Sequence, residues 1–159
     1  LASGKPWKWI SDQDKSFQLL KNLIANKMHL TYMDPLLDLH LFVDSSMRAG
    51  AGFLAQQSPV NKSQFLPVMF CSKKYPKHMT SSSSSMVLEL YNLIYCLEKC
   101  KFFVSLRPIH VHIDCASIIT SLYSNRIMGN QRAGRLLEKL SSFDIIFSLN
   151  YISPSDPNF

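Results

Sequence analysis

Several patterns that identify common protein classes are missing from this chain of 159 residues. No stretch resembles a signal peptide or a membrane-spanning helix. The four cysteines include no C-x-x-C pair, so no zinc site is indicated, and they are predicted to be buried thiols in a reducing compartment. The segment Ala49-Gly50-Ala51-Gly52 lacks the Lys-Ser/Thr ending of a phosphate-binding loop.

Acidic residues are also scarce. Eleven Asp and Glu stand against seventeen Lys and Arg, which gives a net charge of +6 and a pI near 9.2. This balance favours a polyanionic partner, most simply a nucleic acid, although a mildly basic protein without such a partner stays an alternative. The length suits one domain with a short appendage and is enough to bury a core. Neither end has terminal character, so we expect the chain to be part of a longer protein.

Hydrophobic periodicity predicts an N-terminal helix followed by elements in the order βββ-α-β-α-α-β, an α/β mixed sheet with helices on its faces. The predicted helices cover about 12–26, 84–103, 116–123 and 131–142. The predicted strands cover about 38–44, 53–56, 65–72, 108–114 and 144–152, with a tight turn at 49–52. We predict a connector over 1–37 and the main domain over 38–159.

Two of the predicted strands end in the same residue type. One reads Leu39-His40-Leu41-Phe42-Val43-Asp44, and the other reads Ile109-His110-Val111-His112-Ile113-Asp114. If these strands are parallel neighbours, the two carboxylates meet at one end of the sheet. Paired carboxylates suit Mg²⁺, and two-metal phosphodiester cleavage uses such an arrangement. The alternative is that each Asp only starts a turn.

Six motifs follow one another in order along nearly the whole chain. They are Trp7-Lys8-Trp9 with the helix through Phe17 and Leu20, Phe42-Val43-Asp44-Ser45-Ser46 with Leu54-Ala55-Gln56, Pro67 to Lys74, Glu89-Leu90-x-x-Leu93-Ile94, Ile113-Asp114, and Gln131-Arg132-x-x-Arg135 through Phe143-Asp144-Ile145 to Tyr151. Together they resemble the ribonuclease H region of the pol polyprotein of gypsy-type long-terminal-repeat retrotransposons, joined to the end of the reverse transcriptase connection.

The resemblance implies a ribonuclease-H-like fold that cleaves the RNA strand of RNA–DNA hybrids during reverse transcription. It implies that Asp44, Glu89 and Asp114 are catalytic and hold two Mg²⁺ or Mn²⁺ ions, with Asp44 bridging both. The implied partners are an RNA–DNA hybrid and the rest of the polyprotein, with no membrane. The implied location is intracellular, in a cytoplasmic virus-like particle or in the nucleus.

Basic side chains are the candidates for gripping the nucleic-acid backbone. Lys73 and Lys74 follow the third strand, and Arg132 and Arg135 lie at i, i+3 on one helix. Solvated surface charges are the alternative for each. His110 and His112 share a strand face with Asp114, and we expect them to pack on the sheet rather than bind a transition metal.

The chain also departs from the family pattern. Ser45 replaces an Ala, Val87 replaces an upstream acid, and the fourth carboxylate would lie just beyond Phe159, which leaves Asp156 as a weak substitute. A catalytically eroded connection or binding module of the same fold is therefore the rival interpretation, and a DNA-directed nuclease is a more distant one. Tyr32-Met33-Asp34-Pro35 resembles a polymerase motif but lacks its second Asp, so we predict a structural role there.

Overall fold

The computed structural model describes residues 8–27, 29–81, 83–104, 108–124, 131–141, 143 and 147–151. The chain divides into two compact units, Leu1–Leu30 and Thr31–Phe159. The domain boundary expected between residues 37 and 38 stays a prediction. Within the described part of the chain, no helix is both long and apolar enough to cross a bilayer.

In the described part of the first unit, the chain forms helix α1 (Ser11–Lys27). Asp12 and Asp14 lie in its first turn, where negative charge complements the helix dipole. The side chain of Gln13 accepts a hydrogen bond from the backbone N–H of Ile10 at 3.2 Å, which satisfies a donor just ahead of the helix. The helix predicted over 12–26 is confirmed to within one residue at each end.

The second unit is built on a five-stranded mixed sheet. Its elements are β1 (Leu39–Ser45), β2 (Ala49–Gln57), β3 (Phe65–Lys74), α2 (Lys77–Thr80), α3 (Ser85–Val104), β4 (Ile109–Ile113), α4 (Ala116–Ser124), α5 (Gln131–Ser141) and β5 (Phe147–Tyr151). The strand order is β3-β2-β1-β4-β5. β2 is antiparallel to β1 and β3, whereas β4 is parallel to β1 and β5. The predicted α/β order is confirmed, with the short helix α2 as an addition that the periodicity did not show.

Alternation along the strands decides which side chains enter the core. Leu39, Leu41 and Val43 of β1 are buried, and so are Ile109, Val111 and Ile113 of β4. These side chains form one cluster with the apolar face of α3, with Ile118 of α4 and with Leu140 of α5. Each such side chain contributes about 1.5–3 kcal/mol on burial, so this cluster fixes α3 across the sheet.

The turn predicted at residues 49–52 is wrong. β2 begins at Ala49, and the chain reverses at residues 46–48 instead. The Ser46 hydroxyl accepts hydrogen bonds from the N–H groups of Arg48 and Ala49, so a serine rather than a glycine stabilises the turn. Gly50 and Gly52 pair in the β1–β2 ladder with Ser45 and Val43.

Candidate active site

Parallel pairing of β1 and β4 brings two of the predicted acids to the same end of the sheet. The register pairs Leu39 with Ile109 and Phe42 with His112. Asp44 lies two residues beyond Phe42, and Asp114 lies two residues beyond His112 and directly follows β4. The parallel arrangement on which the sequence prediction depended is therefore confirmed.

Helix α3 brings the third acid to the same place. Glu89 lies in the second turn of α3, five residues from its cap residue Ser84, and α3 packs against β1 and β2. One carboxylate oxygen from each of Asp44, Glu89 and Asp114 lies within 4.8 Å of the others. The predicted clustering of these three residues is confirmed, whereas their catalytic roles stay predictions.

Glu89 has the least favourable electrostatic environment of the three acids. It is only 7% exposed, and its Oε2 atom is buried with no hydrogen-bond partner among the described residues. Burial raises the pKa of Glu89 to about 8, and the negative charges of Asp114 and Asp44 add to this effect. A hydrogen bond from the Ser45 backbone acts in the opposite direction and lowers the pKa. A carboxylate held here without a counter-charge is therefore costly.

A divalent cation would relieve that cost. Three clustered carboxylates form a hard oxygen donor set of the kind that Mg²⁺ prefers, and the unpartnered Oε2 of Glu89 is a free ligand atom within it. Asp44 is exposed and Asp114 is half-buried, so the cluster is open to solvent on one side. The residues present fit a divalent metal.

The cluster is supported by a side chain that the sequence analysis missed. Asn92, fully buried on α3, donates hydrogen bonds from its amide to the backbone carbonyl oxygens of Asp44 and Ala51, at 2.8 Å each. Asn92 lies three residues after Glu89, so both share one helix face. A polar residue on an otherwise apolar helix face was the available signal.

Tyr75 provides a second support that the sequence did not reveal. Its hydroxyl lies 2.6 Å from the hydroxyl of Ser45, the residue after Asp44, and donates to the carbonyl oxygen of Leu88 at 3.4 Å. Burial raises the pKa of Tyr75 to about 12, so the hydroxyl keeps its proton and can donate. These contacts link the backbone beside Asp44 to the backbone beside Glu89.

The sequence profile of the RNase H-like domain found in reverse transcriptase matches residues 9–111. This chain belongs to that family. No curated protein matches it in sequence. The matched region contains Asp44 and Glu89 and stops three residues before Asp114.

Solved structures share the RNase H-like fold of this domain. A foamy virus protease–reverse transcriptase in complex with double-stranded DNA matches with TM-score 0.65 and 15% identity, over 96% of this chain and 31% of that chain. The foamy virus enzyme in complex with an RNA/DNA hybrid gives TM-score 0.55 and 18% identity, over 97% and 21%. LC11-RNase H1, isolated from compost by a metagenomic approach, matches with TM-score 0.56 and 11% identity, over 75% of this chain and 86% of that chain. The RNase H-like domain thus spans about a third or less of the foamy virus proteins.

Lys73 and Lys74, the two lysines predicted to bind nucleic acid, differ in their contacts. Lys73 pairs with Gly50, which pairs with Ser45, so Lys73 lies two strands from the acid cluster at the same end of the sheet. Its ammonium donates to the hydroxyl of Tyr91 at 2.7 Å. Lys74 is exposed. Their roles in binding stay predictions.

The two predicted arginines of α5 also differ in their surroundings. Arg132 is half-buried and donates to the Ser83 hydroxyl at 2.9 Å, close to the start of α3. Arg135 is exposed. Arg132 therefore has a structural contact as well as a positive charge, and the phosphate-binding role predicted for both stays untested.

The histidines pack on the sheet face opposite the core, as predicted. His40 Nδ1 lies 2.9 Å from His112 Nε2, and His112 stacks on Phe42 with ring centroids 4.4 Å apart. Burial and the neighbouring His40 and His110 lower the pKa of His112 to about 4. Within the described part of the chain, these rings belong to no metal-binding cluster.

Two further predictions complete the account of the site. Asp156, the weak candidate for a fourth carboxylate, lies outside the described residues. The segment Tyr32-Met33-Asp34-Pro35 precedes β1, and the Gln56 side chain hydrogen-bonds to the backbone N–H and carbonyl of Asp34 at 2.8 and 2.7 Å. These contacts agree with the predicted structural role of that segment.

Proposed function

We propose that this domain is a metal-dependent endoribonuclease that cleaves the RNA strand of RNA–DNA hybrids, as part of the reverse transcriptase of a gypsy-type retrotransposon. The observation that carries the proposal is the cluster of Asp44, Glu89 and Asp114, with oxygens within 4.8 Å of one another and a buried, unpartnered Glu89 oxygen. Membership of the reverse-transcriptase RNase H-like family supports the same reaction.

The carboxylates of Asp44, Glu89 and Asp114 would hold Mg²⁺ or Mn²⁺. Bound ions of this kind lower the pKa of an attacking water and stabilise charge on the attacking and leaving oxygens. Glu89 contributes a carboxylate only after it loses the proton that its raised pKa retains near neutral pH. Asp44, the exposed member, is placed on the side from which a substrate phosphate can approach.

The contacts around Asn92 and Tyr75 keep the cluster in place during turnover. Asn92 holds α3 against the backbone of Asp44, and Tyr75 holds Ser45 near Leu88. Because these elements are packed in the core, the acids need little rearrangement when the substrate binds. Solved relatives in complex with an RNA/DNA hybrid support a hybrid as the substrate.

An eroded nucleic-acid-binding module is the second candidate. It is favoured by Val87, a buried apolar side chain at a position where the family pattern has an acid. The deciding experiment is an endonuclease assay on labelled RNA–DNA hybrid, double-stranded DNA and single-stranded RNA, with Mg²⁺ or with EDTA. The chain is assayed together with any residues that its coding sequence places beyond Phe159.

Magnesium-dependent cleavage restricted to the RNA strand of the hybrid would support the proposed activity. Hybrid binding without cleavage under any metal condition would support the binding module, and cleavage of double-stranded DNA would indicate a DNA-directed nuclease. Asp44→Asn is the matched inactive control, because it keeps the size of the side chain and removes its charge. Cleavage that survives in this variant would contradict the proposed site.

A further inference from the structure

Three thiols from distant parts of the sequence meet between β3 and α3. Cys71 comes from β3, whereas Cys96 and Cys100 lie one turn apart on α3. The sulfur of Cys71 lies 3.4 Å from that of Cys96. All three are free cysteines, so the cluster is a reduced dithiol with a third thiol beside it.

The local packing holds this pair of sulfurs together. A Cβ added at Gly52 would lie 2.7 Å from the Cys96 sulfur, so Cys96 rests directly on the backbone of β2. The sulfur of Cys71 lies 3.5 Å from the Gly52 carbonyl oxygen. Both thiols are therefore positioned against the same glycine, with no side chain between them.

The three cysteines of this cluster differ in their access to small molecules. Cys96 and Cys100 are fully buried, whereas Cys71 is half-buried. β3 is the edge strand of the sheet, so Cys71 lies at the margin of the helix–sheet interface rather than at its centre. A reagent as small as a peroxide can therefore reach Cys71 before it reaches the two thiols of α3.

The three thiols differ in acidity as well. Hydrogen bonding with the thiols of Cys100 and Cys96 lowers the pKa of Cys71, and the nearby Lys99 acts in the same direction. The same hydrogen bonds, together with burial, raise the pKa values of Cys96 and Cys100. The accessible thiol is therefore the most acidic of the three, and the thiolate is the reactive form of a cysteine.

We propose that Cys71 and Cys96 form a peroxide-oxidisable site that closes reversibly to a disulfide between β3 and α3. The Cys71 thiolate attacks one oxygen of the peroxide, the O–O bond breaks, and hydroxide leaves, which gives a sulfenic acid on Cys71. The Cys96 sulfur then attacks the Cys71 sulfur and loses its proton, the S–O bond breaks, and water leaves. Two thiols are oxidised by two electrons in total, and a hydrogen peroxide is reduced to two waters.

Closing the bond needs only a short movement. The sulfurs must approach from 3.4 Å to a bond length of about 2.05 Å. Such a bond would tie α3, the helix that carries Glu89, to the neighbouring strand β3. A dithiol reductant reverses the reaction by thiol–disulfide exchange. The proposal is independent of the nuclease activity, since it needs no metal and no nucleic acid.

Peptide mapping tests the proposal directly. The folded protein is treated with hydrogen peroxide, free thiols are blocked with N-ethylmaleimide, and the digested peptides are examined by mass spectrometry with and without dithiothreitol. We expect a crosslinked peptide pair containing Cys71 and Cys96 that disappears on reduction. Oxidation confined to Cys115, or a bridge from Cys71 to any other cysteine, would overturn the proposal.

Single substitutions give a second test. Cys71→Ser should abolish the bridge, whereas the matched controls Cys100→Ser and Cys115→Ser should retain it. Cys96→Ser should stop the reaction at the Cys71 sulfenic acid, which dimedone traps as a stable adduct. An intramolecular bridge that persists in Cys71→Ser would contradict the assignment. The mapping of the unsubstituted protein decides the question even if a variant does not fold.

Discussion

The side-chain amide of Asn92 donates a hydrogen bond to the backbone carbonyl oxygen of Asp44 at 2.8 Å. A second hydrogen bond from the same amide reaches the carbonyl oxygen of Ala51, also at 2.8 Å. Asn92 thereby fixes the helix that carries Glu89 to the strand that carries Asp44. This buried amide is therefore placed to set the separation of two acids in the cluster.

Asn92→Ala should weaken metal binding without removing any carboxylate. Loss of a group that orients metal ligands typically costs about 10–100-fold in affinity, and we expect a loss in that range for Mn²⁺ measured by calorimetric titration. Two hydrogen bonds from a buried amide are also lost, which should cost about 1–3 kcal/mol of unfolding free energy. Asn61→Ala, in an exposed loop, is the control. Unchanged Mn²⁺ affinity in a folded Asn92→Ala protein would show that the hydrogen bonds do not position the acids.

The raised pKa of Glu89 predicts proton release on metal binding. The side chain is mostly protonated at pH 7, because its pKa is about 8, and a metal ion binds the carboxylate form. Mg²⁺ affinity should therefore increase between pH 6.5 and pH 8 and then level off. Titrations in buffers of different ionisation enthalpy would count the released protons. Glu89→Gln should bind more weakly and with no such pH dependence; an equal dependence in both proteins would exclude Glu89 as its source.

The same shift sets the pH dependence of stability in the metal-free protein. A carboxyl group whose pKa rises from 4.5 to about 8 on folding holds its proton more tightly in the folded state. The contribution of Glu89 to the unfolding free energy should then fall as pH rises from about 4.5 to 8, and the difference between the unsubstituted protein and Glu89→Gln in urea titrations measures it. Magnesium should restore stability at the upper end of the range, because it binds the folded form.

The lowered pKa of His112 predicts a contribution to stability with the opposite pH dependence, at lower pH. Its pKa falls from 6.5 to about 4 on folding, because burial and the neighbouring His40 disfavour the charged ring. The unfolded state therefore binds a proton first, and the contribution of His112 to stability should fall as pH decreases from 6.5 to about 4. His112→Phe keeps the stacking on Phe42 and should reduce this acid sensitivity, whereas His29→Phe, at an exposed position, should leave it unchanged. Identical acid profiles for the two variants would contradict the assignment.

Gly50→Ala tests why a small residue occurs beside the site. An added Cβ would collide with the Asn92 amide oxygen and the Tyr75 hydroxyl, so we expect a loss of about 1–3 kcal/mol in unfolding free energy. Gly134→Ala in α5 is the matched control, since its Cβ would meet no atom within 4 Å, and it should stabilise by about 0.5–1 kcal/mol. Equal effects of the two substitutions in urea denaturation would show that the collision is relieved at little cost.

The contrast between Gly50 and Asp44 shows what the sequence could reveal. Period-two alternation is a local property, so it correctly placed Asp44 and Asp114 at strand ends. The parallel pairing that joins them, and the position of Glu89 beside them, depend on contacts between residues far apart in the chain. The resemblance to a known family supplied the role of Glu89, because an acid near a helix start usually has no more than a capping function.

The errors have the same physical origin. Gly50 was interpreted as a turn residue because glycine favours turns, whereas its small size is needed for contact with Asn92 and Tyr75. Cys96 and Cys100 lie one turn apart on α3, but nothing in the local sequence pattern places Cys71 opposite them. Contacts across the helix–sheet interface, rather than the elements themselves, are the part that one sequence does not specify.

The last prediction separates catalysis from binding. Asp44→Asn removes the charge that would be shared between two metal ions, so hybrid cleavage should fall by orders of magnitude. Hybrid binding should persist or tighten, because a negative charge near the phosphate is lost. Arg135→Ala should do the reverse: the exposed cation is lost, binding weakens, and the slope of log affinity against log salt falls by about one, with cleavage at saturating hybrid spared.

Fluorescence anisotropy of labelled hybrid at several salt concentrations, together with single-turnover cleavage, measures both quantities. Lys74→Ala, also at an exposed position, tests whether the nucleic-acid backbone also contacts the end of β3. Arg132→Ala does not isolate the loss of charge, because it also removes the hydrogen bond between Arg132 and Ser83. If Arg135→Ala and Lys74→Ala both leave the salt dependence unchanged, the hybrid binds elsewhere on the domain. If Asp44→Asn weakens binding as much as cleavage, Asp44 acts in substrate affinity rather than in the chemical step.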